Sequence, residues 1–90
     1  MADVVVTLKI MPESPDSDLD SISSKATEII NSYGEVGKKE IVPVAFGLNA
    51  INLIFVMDES KGSTDELEQK VRDLEEVNSA EVTDVRRAVG

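Results

Sequence analysis

The chain has no cysteine, no histidine and no tryptophan, and only one tyrosine and two phenylalanines among 90 residues. Without cysteine there are no disulfides and no thiolate nucleophiles. Without histidine as well, the usual Cys/His zinc sites and every Ser-His or Cys-His catalytic arrangement are excluded. Carboxylates are the only remaining side chains suited to a metal, and the sequence requires neither a metal nor any other cofactor. Positive charge is also scarce: 9 basic residues face 18 acidic ones, a net charge of −9. That balance argues against broad binding to a nucleic-acid backbone or an anionic membrane, both of which need clustered cations, and leaves basic protein partners open. The apolar run in MADVVVTLKIM is far too short to span a bilayer and has no basic region before it or small-residue cleavage site after it, so a soluble, cytoplasmic protein is expected. A chain of this length with 41% hydrophobic residues builds one domain, residues 1–90, around one modest core.

The patterning within that domain is regular. From Val4 to Met11 apolar residues alternate, with Val4, Val6, Leu8 and Ile10 on one side, as in a half-buried strand ending at Pro12. PESPDSD is a loop, and Ser17 or Asp18 caps a helix from about Asp18 to Tyr33, stopped by Gly34. Leu19, Ile22, Ala26, Ile29 and Tyr33 recur at spacings of three and four and form its apolar stripe. Strands are predicted over Lys38 to Ala45 and Ala50 to Met57, joined by a hairpin of Phe46, Gly47, Leu48 and Asn49. Pro43 lacks an N–H and marks the first of these as an edge strand. Ser63 and Glu66 have capping-box spacing ahead of a second helix, about Thr64 to Leu74, which buries Leu67, Val71 and Leu74. A last strand covers roughly Ala80 to Arg86.

The order strand, helix, strand, strand, helix, strand predicts an α+β fold, the ferredoxin-like βαββαβ plait: a four-stranded antiparallel sheet with two helices on one face. Leu8, Ile10, Ile22, Ala26, Ile29, Leu53, Phe55, Leu67 and Val71 are its expected core.

Such plaits host many functions, so function must come from sites. Base stacking needs aromatics on the central strands, where only Phe55 is found, so direct nucleic-acid binding is not expected. The loop PESPDSD offers carboxylates where a phosphate cradle would be needed. In SKGST the lysine precedes the glycine, the reverse of a phosphate-binding loop. The acids of the second helix suit its dipole and a solvated face better than a metal site.

Two features stand out. Phe46 and Leu48 sit on a hairpin tip, where they either fold back over the end of the sheet or project as a contact. In DVRRAVG, Arg86 and Arg87 close the last strand, either as a solvated tail or as a second contact. The plait topology sends these features to opposite ends of the sheet, separated by roughly 23 Å for strands of about seven residues. A partner touching both must be large.

The segments KKEIVPVAFGLNAI, GSTDELEQKV and VNSAEVTDVRR, in this order, resemble the guanine-nucleotide exchange domain of the translation elongation factor 1 beta family in its short archaeal form, over about Val4 to Ala88. The resemblance implies a regulator rather than an enzyme, one that binds the GTPase translation elongation factor 1 alpha and promotes GDP release during aminoacyl-tRNA delivery. The family's hairpin aromatic, which docks in an apolar pocket on the partner's second domain, falls on Phe46, with Pro43, Gly47 and Leu48 around it. Its C-terminal basic residue, which reaches the magnesium and phosphate region, falls on Arg87, between Arg86 and Ala88. Eukaryotic members carry lysine at the Arg87 position and end almost at once, and basic residues common after the hairpin are replaced here by Asn49 and Ala50. The competing reading is a small regulatory plait that binds a small ligand or metal through a homodimer. On the exchange reading, reversing Glu68 or Glu75, in and just after the second helix, to lysine is expected to alter exchange little.

Overall fold

The computed structural model describes residues 3–44, 47–61 and 64–87. Its elements are β1 (Asp3–Pro12), α1 (Leu19–Ile30), β2 (Gly34–Pro43), β3 (Asn49–Asp58), a 3-10 turn (Glu59–Lys61), α2 (Asp65–Arg72) and β4 (Val77–Arg87). The four strands form one antiparallel sheet in the order β2-β3-β1-β4, which makes this the ferredoxin-like plait that the alternation of elements predicts.

Strict alternation in the two central strands separates the faces of the sheet. Val6, Leu8 and Ile10 of β1 pair with Phe55, Leu53 and Ile51 of β3, and all six are fully buried on the helix side. From the helices, Ile22, Ala26, Ile30, Leu67 and Val71 close over them. Of the expected core, only Ile29 is half-buried; Ile30 takes its place, four residues beyond Ala26 on the same stripe. Met57, Val77 and Ala80 complete the cluster.

Asp18 caps α1, its carboxylate accepting the Ser21 N–H at 3.2 Å. At α2 the N-cap is Thr64, which makes no side-chain capping bond, and Glu66 pairs forward with Lys70 at 3.2 Å. Ser63, the other half of the expected capping box, lies outside the described residues. The edge strand β2 begins at Gly34, four residues before the predicted start, because charge conceals it: Lys39 points to the helix side and is held there by the Ser23 hydroxyl at 3.3 Å and the Asp20 carboxylate at 3.6 Å. At Gly34 the backbone of β3 lies so near that a Cβ there would collide with the Val56 carbonyl oxygen.

The other edge strand, β4, starts at Val77, after Glu76 turns the chain with φ of 68°. Two α2 side chains cover its outer backbone. Glu68 Oε2 accepts the Val82 N–H at 3.2 Å, and Arg72 Nε donates to the Ala80 carbonyl at 3.1 Å. These contacts occupy an edge that would otherwise be free to pair with another strand. Glu68 is therefore a bridge between layers, not the solvated acid expected from its sequence position, whereas Glu75 is exposed.

Candidate partner interface

The sheet has two ends with distinct chemistry. The β2–β3 connection closes at Val44, whose N–H donates to the Leu48 carbonyl at 2.9 Å. Gly47 occupies it with φ of 77°, a conformation that only glycine adopts without strain. Among the described residues, and apart from its chain neighbours, no atom lies within 4 Å of where its Cβ would be, so the turn requires the backbone freedom and not the space. Pro43 is exposed on the edge strand and pairs across to Asn49, consistent with a residue that cannot donate. Leu48 is half-buried, while Val44 and Ile41 are 40% and 44% exposed. The described residues around the turn thus present apolar surface. Phe46, the aromatic singled out from the sequence, lies outside the described residues, as does Ala45.

The other end gathers the end of β3, the 3-10 turn and the last residues of β4. Arg87 stands opposite Val4, which itself stands opposite Met57, so the basic pair lies at the end of the sheet remote from the hairpin turn. Because successive strand residues face opposite ways, Arg87 lies on the helix side and Arg86 on the open side. Each has an acidic partner within the chain. Arg87 Nη2 donates to Glu59 Oε1 at 2.6 Å, and Arg86 Nε donates to Asp84 Oδ2 at 2.8 Å. The two arginine side chains remain largely in solvent, and the two carboxylates are about half exposed. Ala88 lies outside the described residues.

The structure therefore keeps the hairpin and the arginines apart, as expected, and lengthens the span. From Asn49 to Met57 on β3 the distance is about 27 Å at the usual strand rise. Glu59 was not legible in the sequence, where its only signal is its position directly after an apolar strand. Nor was the ring contact in which Lys70 Nζ stands 5.3 Å from the centre of Tyr33. Tyr33 first, and Glu66 second, hold the Lys70 ammonium above its usual pKa.

Among the described residues no group of three or more acidic side chains is arranged to hold a metal ion, and no helix is long and apolar enough to cross a membrane. The plait and its exposed ends define the class: a small two-layer α+β domain of ferredoxin-like fold. Among solved structures, the ACT domain from GTP pyrophosphokinase of Chlorobium tepidum superposes with a TM-score of 0.57, covering 98% of this chain and 89% of that one. At 18% identity the likeness concerns the fold alone.

Sequence comparison goes further. The model of the EF-1 guanine nucleotide exchange domain matches residues 5–88. Elongation factor 1-beta of Methanobrevibacter smithii is 45% identical over 97% of this chain and 98% of that protein. The protein of the same name from Methanothermobacter thermautotrophicus is 44% identical with the same coverage, and that from Nanoarchaeum equitans is 37% identical over 90% of this chain and the whole of that one. The chain belongs to the EF-1 guanine nucleotide exchange domain family, in the company of archaeal elongation factor 1-beta proteins, and its role is nucleotide exchange in translation elongation.

Proposed function

We propose that this chain binds the GTPase translation elongation factor 1 alpha in the cytoplasm and promotes release of its GDP, acting as a single exchange domain over residues 1–90 with no active site or cofactor of its own. The hairpin around Phe46, with Pro43, Gly47 and Leu48, anchors the partner. Arg87, flanked by Arg86 and Ala88, acts on the magnesium and phosphate region. The observation that supports this most is the pairing of exposed apolar residues beside the turn, Ile41 and Val44, at one end of the sheet with an exposed basic pair at the other, in a chain of the exchange family.

The physical requirement is a difference in affinity. GDP held by phosphate-binding groups and magnesium leaves slowly, and an exchange factor accelerates release only by binding the emptied state more tightly than the loaded one. A buried aromatic anchor contributes about 2 kcal/mol or more to such an interface. Because the anchor engages both states, it sets affinity. A charged group that reaches the nucleotide site distinguishes the states, so it sets the rate. The test is release of labelled GDP from purified elongation factor 1 alpha with and without this chain. Acceleration that saturates with added factor is expected, and no acceleration in excess factor refutes the proposal.

A further inference from the structure

We propose that Glu59 is a second contact residue for the nucleotide site: its carboxylate and the Arg87 guanidinium act as one bipolar element that fits a GTPase site emptied of nucleotide and magnesium. The inference rests on the exchange reading above and adds to it a residue and a charge that the reading lacked.

Glu59 opens the 3-10 turn that leaves β3, and Arg87 ends the described part of β4, so the two side chains come from strands that flank β1 and meet across its end. The turn is fixed at its root by the Ser60 N–H, which donates to Asp58 Oδ1 at 2.8 Å. The Arg87–Glu59 contact of 2.6 Å uses one guanidinium nitrogen and one carboxylate oxygen. With side chains 67% and 46% exposed, both groups keep free capacity that faces solvent. A guanidinium has five N–H donors in a planar fork, and a carboxylate accepts at both oxygens, so each can take a further partner without releasing the other.

The two charges match what GDP release leaves behind. A loaded GTPase site balances the diphosphate and magnesium against cationic phosphate-binding groups and acidic magnesium-binding groups. When nucleotide and metal leave, both sets lose their counter-charges. A lone arginine compensates only the acidic set. A carboxylate beside it compensates the cationic set, competing with phosphate for the groups that held it. In the loaded site both places are filled, so the element favours the emptied state, which is the difference an exchange factor needs. The intramolecular pair also lets the two charges approach a diphosphate as a neutral unit, which matters in a chain of net charge −9. Asp84 does not share this role, since it holds Arg86 on the open face of the sheet.

An exposed ion pair contributes little to folding, so the substitutions can be made without losing the domain. GDP release from elongation factor 1 alpha is followed to saturation for the unaltered chain, Glu59→Gln and the charge-swapped double variant E59R/R87E, with melting temperature measured alongside. Glu59→Gln is expected to keep its melting temperature and its half-saturating concentration within about twofold, while maximal release falls about tenfold. The swapped variant restores the intramolecular pair but reverses both charges, and it is expected to stay low. If Glu59→Gln releases GDP at the original maximal rate or faster, or if the swap recovers activity, Glu59 only restrains Arg87 and the proposal is overturned. If the unaltered chain itself gives no acceleration, the exchange reading falls and takes this assignment with it.

Discussion

Reversing the charge of Glu68 should destabilise the domain, whereas the same change at Glu75 should not. The Glu68 side chain is only 13% exposed. One oxygen accepts the Val82 backbone N–H of β4 and the other takes the Thr64 hydroxyl at 3.3 Å, while Arg72 Nη2 stands 3.6 Å away. Glu68→Lys leaves a partly buried N–H without its charged acceptor, at a cost of about 1.5–3 kcal/mol. It also places an ammonium four residues before Arg72, where like charges cost a few tenths of a kcal/mol more. In a domain of this size each kcal/mol lowers the melting temperature by about 4–8 °C, so a fall of about 7–26 °C is expected. Glu75 is exposed, and Glu75→Lys should stay within about 0.5 kcal/mol. Glu68→Gln keeps an acceptor oxygen and should fall between the two. Thermal melts followed by far-ultraviolet circular dichroism, at fixed pH and salt, decide the matter. If Glu68→Lys melts within about 3 °C of Glu75→Lys, the bridge is not holding β4 and the reasoning fails. Exchange assays on Glu68 variants are informative only well below their melting points, because loss of β4 would also displace Arg86 and Arg87.

Gly34→Ala would bring a Cβ against the Val56 carbonyl and the Met57 Cα, so β2 and β3 must part at that point; a loss of about 2 kcal/mol or more in urea titration is expected, and a near-normal midpoint would refute the close approach. Gly47→Ala meets no described residue beyond its chain neighbours and suffers the left-handed backbone, about 1–2 kcal/mol, read as a modest fall in melting temperature. Phe46→Ala should weaken binding to elongation factor 1 alpha while melting nearly normally. A loss of about 3–5 kcal/mol, typical of a buried phenylalanine, would instead make Phe46 part of the core and remove the anchor.

What the sequence revealed follows from where a single physical signal dominates. Leu8, Ile10, Leu53 and Phe55 lie on strands with one face in the core, so alternation alone identifies them. The edge strands are different. Gly34 to Lys39 of β2 reads as charged and glycine-containing because an edge strand tolerates polar residues on both faces, and Lys39 finds its partners on α1, distant in sequence. The start of β4 depends on Glu76 in a left-handed conformation, for which the local sequence carries no glycine signal. Glu68 and Glu75 look alike because both are acids near the second helix, and only the third dimension brings β4 beneath one of them. At the site, the arginines were legible as a terminal basic pair. Glu59 was not, since its meaning depends on a strand 28 residues away.

The two proposed contacts are connected by one strand. Leu48 immediately precedes Asn49, the first residue of β3, and Glu59 immediately follows Asp58, its last. Between them Ala50, Ile51, Leu53 and Phe55 are fully buried and Met57 nearly so, and β3 is paired on both sides by β2 and β1. A strand with both edges bonded and one face in the core does not bend or stretch freely, so it holds the turn and the Glu59–Arg87 pair at a set separation. That rigidity matters if the partner opens by moving one domain against another. Once the turn is anchored, the far end of β3 is carried to a defined place, and the partner must bring its nucleotide site to the charges. A flexible connection of the same length would allow both contacts to form on the loaded GTPase and would lose the discrimination between states on which exchange depends.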